Sequence, residues 1–216
     1  MASDFTTVIW DMDGVLIDSE NHWDSLETHF LEDAVDNWDD FDKSRMIGRS
    51  LKDIYNLLEK EHGIHLSYRE YVEEFNALAR RVYQEAAELS PNAEATLLRI
   101  REMGLQQALV SSSSRQWIRY ALERFPLEEY FDSIISSDDV QGRGKPDPAI
   151  YEFACRQLEC VKEKTLVVED SRAGIAAAHK AGLTVIGYFP EKKPRGNPDG
   201  KITDLAEVWN MLSSSG

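Results

Sequence analysis

Residues 8–20 read VIWDMDGVLIDSE. Three apolar residues run directly into Asp11, and Asp13 follows two positions on, before Gly14 and the apolar VLI. With FTT ahead of it, the run 5–10 has the length and content of a short, largely buried strand. In open parallel sheets ligands bind outside the carboxyl ends of the strands. A strand that ends on two carboxylates therefore makes the ends of the other strands the place to look.

Downstream the rhythm changes twice. Residues 20–90 are helical in pattern. Trp23, Leu26 and Phe30 recur at helical spacing, Ser50 and Asp53 form a capping-box pair ahead of Ile54, Leu57 and Leu58, and Ser67 and Glu70 repeat the signal ahead of a Tyr71, Phe75, Leu78, Val82 stripe. The acidic stretch 33–44 reads as a loop. After Ser90-Pro91, helix and strand alternate. A helix over about 92–103 has Gly104 as its C′ residue, and strand QQALV (106–110) runs into four serines, 111–114. Helix 115–125, strand 133–136, a helix opened by Asp147-Pro148, strand 164–170, helix 171–182, strand 183–188 and a last helix from 204 complete the series.

Strands alternating with helices predict an α/β fold, a doubly wound, Rossmann-like parallel sheet covered on both faces. The helical segment is too long for a loop and is read as a small cap domain inserted after the first strand. The expected division is core 1–18 and 91–216, cap 19–90.

The formal net charge of −15 argues against nucleic acid as a partner, because phosphate backbones are bound by basic stripes. An acidic protein can still hold a small phosphorylated metabolite where a metal and a few cations are focused in one cleft. No stretch approaches 18 apolar residues and the N-terminus MASDFTT has no leader pattern, so the expectation is a cytoplasmic protein with no membrane partner, a monomer by slight preference. Cys155 and Cys160 have no metal-type spacing with histidine and read as buried or half-buried thiols.

The strand ends carry the chemistry. The first ends at Asp11 and Asp13, the second at Ser111-Ser112, the region after the third holds Lys145, and the fourth ends at Glu169-Asp170. Crowded carboxylates cannot all stay ionised unless a positive charge sits among them. Hard oxygen ligands beside phosphate suit Mg²⁺. Such a metal would keep Asp11 deprotonated and nucleophilic. Asp13 could then protonate the leaving oxygen and later activate water, and Lys145 and Ser111 would hold the transferring phosphate. Plainer roles compete: Ser111 could cap the helix that follows it, Lys145 could be a loop lysine, and Glu169-Asp170 could cap the next helix.

DMDGVL, VSSSS, GKPDP and VVEDSRAGIAAAHKAG, in that order, resemble the haloacid dehalogenase superfamily of phosphohydrolases, in particular its β-phosphoglucomutase and sugar-phosphate phosphatase branch. The resemblance implies Asp11 as nucleophile, Asp13 as acid/base with its backbone carbonyl on the metal, Ser111 and Lys145 on the phosphate, Asp170 as a direct metal ligand and Glu169 in its first or second coordination sphere. Gly14 and Ser112 are placed with the substrate. The implied activity is Mg²⁺-dependent hydrolysis of a small phosphomonoester, a sugar or polyol phosphate, through an aspartyl phosphate. The alternative is a phosphosugar mutase, and behind it stand a phosphoglycolate phosphatase and a non-catalytic, receiver-like protein. The mutases usually carry a histidine near the start of the cap helix. Here DSENHW puts Trp23 at that place with His22 one position off, closer to the phosphatases. In the cap, Arg49 either meets a second anionic group or lies at the surface. His22 and Trp23 either face the leaving group or are a helical surface residue and a core residue. Arg115 either reaches the substrate or sits on its helix.

Overall fold

Thr7–Trp10 forms β1, buried along its whole length. The computed structural model describes residues 5–36, 38, 51–190 and 194–213. Among these, six strands make one parallel sheet in the order β5-β4-β1-β6-β7-β8. They are β4 Gln106–Val110, β5 Ser133–Ile135, β6 Thr165–Glu169, β7 Thr184–Tyr188 and β8 Gly200–Ile202, with β1 between β4 and β6. The chain builds outward from β1 to β5, then crosses back to β6 on the other side of β1. That reversal is the switch point at which open α/β sheets bind ligands. In register, Trp10 lies beside Leu109 and Val168, so the residues that leave these three strands emerge side by side.

Alternate residues of each strand point to opposite faces. Val8, Trp10, Leu109 and Val168 face one core, completed by α4 (Ala93–Glu102), α5 (Arg115–Arg124) and α8 (Ala206–Ser213). Ile9, Ala108, Val110, Val167 and Val185 face the other, against α6 (Ala149–Leu158) and α7 (Arg172–Lys180). Burial on both faces is why these strands read as apolar runs without polar alternation.

The helical insert sits between two short strands, β2 (Ile17–Asp18) and β3 (Glu88–Leu89), which pair antiparallel and bring its ends together. It comprises α1 (Glu20–Ala34), α2 (Leu51–Glu61), α3 (Tyr68–Arg81) and a π turn over Val82–Ala86. Leu31, Trp38, Leu58, Tyr71 and Phe75 form its own core. The Ser67/Glu70 capping box is present: Ser67 N–H donates to Glu70 Oε2 at 2.8 Å and Ser67 Oγ accepts from Glu70 N–H. Ser50, the other expected cap, and most of the expected 33–44 loop lie outside the described residues, although α1 already runs through Asp33 and Ala34.

The other departures are short. Strands β2, β3 and β8 have two or three residues each, too few to carry a period. Val82 is buried as the stripe requires, but in the π turn. α6 is assigned from Ala149, with Asp147 Oδ1 accepting the Ala149 N–H at 2.8 Å, so Asp147 caps as expected one residue further out. Cys155 is buried and Cys160 half-buried, both thiols unlinked, and burial together with Cys160 pushes Cys155 up to about 12. Among the described residues no helix is long and apolar enough to cross a membrane.

Candidate active site

The loop after β1 is a tight turn. Gly14 N–H donates to Ile17 O at 2.8 Å, and Leu16 and Ile17 N–H both donate to Met12 O at 3.0 Å. Gly14 has φ +80°, and a Cβ there would run into the Asp170 carboxylate. Its bare backbone therefore makes room for Asp170, which is where the structure places a residue expected near substrate. Asp11 is anchored by its N–H to Val168 O at 3.1 Å.

Asp11, Glu169 and Asp170 are all buried and offer oxygens within 4.8 Å of one another. Lys145, 6% exposed, donates from Nζ to Asp11 Oδ1 and, at 2.7 Å, to Glu169 Oε1. Burial pushes the Asp11 carboxyl well above the usual carboxylate range; Lys145 opposes this, and Glu169, Asp170 and Asp13 add to it. Burial acts to lower Lys145, but Asp11 and Glu169 outweigh it and hold the ammonium well above its ordinary value. One cation thus faces three buried carboxylates, and the deficit of positive charge is one a divalent cation would fill. An all-oxygen donor set of this kind fits Mg²⁺.

Glu169 has little acceptor capacity left. Oε1 accepts from Lys145 and, at 3.3 Å, from the Tyr151 hydroxyl; Oε2 accepts from Ser171 N–H at 2.8 Å and Ser171 Oγ–H at 3.0 Å. Those contacts fill the four lone-pair directions of a carboxylate. Helix α7 is capped by Ser171, whose Oγ accepts from Gly174 N–H at 2.9 Å, and not by Glu169 or Asp170. Gly174 is bare because a Cβ would collide with the Glu169 carboxylate.

Asp13 is half-buried across the same loop. Its Oδ1 accepts from Ser19 Oγ–H at 2.6 Å and Tyr83 O–H at 2.7 Å, its Oδ2 from Ser113 Oγ–H at 3.0 Å and Ser111 Oγ–H at 3.4 Å. Ser111 Oγ in turn accepts Ser113 N–H at 3.0 Å. Burial, and then the Asp13 charge, push the Tyr83 phenol well up, so it is a proton donor. Helix α5 is capped by Ser114, which leaves Ser111 to the Asp13 network.

A cavity of about 540 Å³ opens over this cluster, within the range of small-molecule sites. The insert contributes Trp23, Ile54 and Phe75 to its walls, the core Ser112, Trp117 and Lys145. Trp23 stacks on Trp117 with ring centroids 4.8 Å apart, so it both packs the insert on the core and lines the cavity. Lys145 joins the cavity to the carboxylates beneath it. His22 lines a separate depression of about 240 Å³ with Arg81 and Glu85 and is absent from the walls of the main cavity. Arg115 is held by Asp139, Nη2 to Oδ2 at 2.5 Å, and its N–H donates to Asp138; it lines a third depression, along α5. Of the two alternatives for each, the structure therefore fits the plainer one: His22 is a residue of the helix surface and Arg115 sits on its own helix, and neither lines the main cavity. Arg49 lies outside the described residues.

Tyr83, Ser113, Ser19, Tyr151 and Ser171 join the cluster without having been singled out in the sequence. Ser19 and Ser113 stood inside the motifs themselves, DSE and SSSS. Tyr83 meets Asp13 across 70 residues of chain, and no local pattern marks it.

Comparison with known proteins gives the same grouping. The haloacid dehalogenase-like hydrolase profile matches residues 8–188. The phosphorylated carbohydrates phosphatase of Thermotoga maritima is 30% identical over 176 residues, 82% of this chain and 81% of that one. Validoxylamine A 7'-phosphate phosphatase of Streptomyces hygroscopicus subsp. limoneus is 29% identical over 214 residues, 98% of this chain and all of that one. Among solved structures, a candidate β-phosphoglucomutase from Thermotoga maritima superposes with TM-score 0.75 at 26% identity, covering 98% of this chain and 100% of that one. With a profile spanning most of its length and a relative at this level of identity, the chain belongs to the haloacid dehalogenase-like hydrolase family.

Proposed function

We propose that this protein is a Mg²⁺-dependent phosphatase that hydrolyses the phosphomonoester of a small phosphorylated carbohydrate. The observation that carries the reading is Lys145, held between Asp11 and Glu169 at the base of a cavity large enough for a sugar phosphate. In this reading residues 19–90 form the cap over a core of residues 1–18 and 91–216, and the enzyme works in the cytoplasm.

An Asp11 carboxylate oxygen attacks phosphorus as the bond to the leaving oxygen breaks, and Asp13 gives that oxygen its proton. Asp13 then takes a proton from water as the water attacks the aspartyl phosphate, releasing phosphate and restoring Asp11. Lys145 and Ser111 hold the phosphoryl oxygens through the transfer. Asp11, Asp170 and the Asp13 carbonyl would hold Mg²⁺. Glu169, with its oxygens committed to Lys145, Tyr151 and Ser171, orients the cluster from behind. When bound, the cation supplies charge neutralisation at the phosphoryl group. The aromatic wall of Trp23 and Trp117 suits the apolar face of a sugar ring.

A mutase reading has the likeness to the candidate β-phosphoglucomutase in its favour. The position of His22 in a separate depression favours hydrolysis, because no histidine of α1 lines the main cavity.

The test is phosphate release with Mg²⁺ across phosphorylated sugars, polyols, nucleotides and phosphoglycolate, with β-glucose 1-phosphate also followed for glucose 6-phosphate. The expected result is release from one or several carbohydrate monoesters, abolished by a chelator and restored by added Mg²⁺. Isomerisation without release replaces the phosphatase by a mutase, and undiminished release in chelator removes the metal from the account.

A further inference from the structure

The Tyr83 hydroxyl lies where the exit of the insert meets both loops of the site. Tyr83 belongs to the π turn Val82–Ala86, beyond which the chain enters β3 and returns to the core. Widened turns of this kind re-aim a side chain relative to the helix before them. The side chain is fully buried, its oxygen 2.7 Å from Asp13 Oδ1 on the β1 loop, 3.2 Å from Ser113 Oγ on the β4 loop and 3.3 Å from Trp23 Nε1 on α1.

A phenol has one proton to give. Trp23 Nε1 can only donate, Ser113 can do either, and Asp13 Oδ1, which also receives the Ser19 hydroxyl, accepts even when Oδ2 carries the proton that goes to the leaving oxygen. The Tyr83 proton therefore goes to Asp13, while Trp23 donates to the Tyr83 oxygen. The other hydroxyls on Asp13 come from Ser19, six residues on at the start of the insert, or from the β4 loop, Ser111 and Ser113. Tyr83 is the contact that comes from the far end of the insert.

We propose that Tyr83 is a positioning residue that fixes the direction of the Asp13 carboxyl from the insert, so that Asp13 is aimed at the leaving oxygen when the insert is seated on the core. The assignment rests on the phosphatase reading, in which Asp13 passes its proton to that oxygen. A tyrosine that only fills space would serve as well without its hydroxyl, so Tyr83→Phe separates the two roles. The ring keeps its packing against Trp23, 6.0 Å between centroids, and Asp13 keeps its serine partners.

A misdirected general acid matters when the leaving oxygen is a basic alkoxide and matters little when it is a stable phenolate. Tyr83→Phe is therefore expected to lower kcat/KM, which reports on phosphoryl transfer to Asp11 and not on the later hydrolysis that both esters share, by about tenfold or more for a sugar phosphate and by less than about twofold for p-nitrophenyl phosphate. The ratio of the two rates is taken within one preparation and is independent of the fraction folded. Equal losses on both esters, or no loss on either, overturn the assignment. In an Asp13→Asn background the same substitution is expected to add no further loss, and a full, multiplicative loss there overturns it as well. Wild-type turnover is read first. An inactive wild type counts against the phosphatase reading, and an active wild type with an unselective variant counts against Tyr83.

Discussion

Asp11→Asn is expected to abolish phosphate release. The substitution keeps the shape of the side chain and its N–H bond to Val168 O, and removes the carboxylate proposed to attack phosphorus. Loss of a nucleophile costs orders of magnitude, so a residual rate above about 1% of wild type removes Asp11 from that role. The fold should not suffer. Burial and three neighbouring carboxylates already act against a charge on Asp11, so its neutralisation relieves crowding even as Lys145 loses one partner and keeps Glu169 at 2.7 Å. In metal-free buffer the variant should melt at or above the wild-type temperature. Inactivity accompanied by a large drop in Tm would mean the loss was structural.

Lys145→Met should damage both activity and stability. Lys145 is the ammonium that pairs with Asp11 and Glu169, and removing one partner of a buried ion pair costs about 3–5 kcal/mol because the other charge is left uncompensated. Its proposed role on the transferring phosphoryl group adds a fall in kcat of about a hundredfold or more. The stability deficit should depend on pH in an unusual direction. Asp11 titrates above its unfolded value because of burial and its neighbouring carboxylates, and without Lys145 nothing opposes that rise. A folded-state pKa above the unfolded one means that the native state binds the extra proton. Its contribution is present below the ordinary carboxylate value and lost as pH rises through the folded-state value. Thermal melts of the metal-free variant should therefore lie closest to wild type in mild acid and fall away towards neutrality. Melts that match wild type at both ends of that window would contradict the pairing of Lys145 with the carboxylates.

What the sequence displayed of this site was local. Asp11 and Asp13, Ser111, and Glu169-Asp170 stand where apolar runs end, and a parallel sheet with its switch point beside β1 brings those ends together, so reading strand ends amounted to reading the site. Lys145 has no strand of its own and was legible through its GKPDP setting. Contacts made across the fold were not legible. Tyr83 reaches Asp13 from a turn whose irregularity interrupts the helical period, and Glu169 meets Tyr151 and Ser171 because α6 and α7 pack side by side on the same face of the sheet. His22 and Trp23 are adjacent in sequence but lie about 100° apart around α1, and only Trp23 reaches the main cavity. Arg115 fell to a nearer partner, Asp139, which no sequence spacing could have disclosed.

The measurement that bears most directly on the account is acid quenching of the enzyme during turnover of a sugar phosphate, followed by mass spectrometry of its peptides. The account predicts a phosphoryl group on the peptide that carries Asp11, present in wild type and absent from Asp11→Asn. A phosphoryl group on another residue, or its persistence in the Asp11→Asn protein, would contradict it.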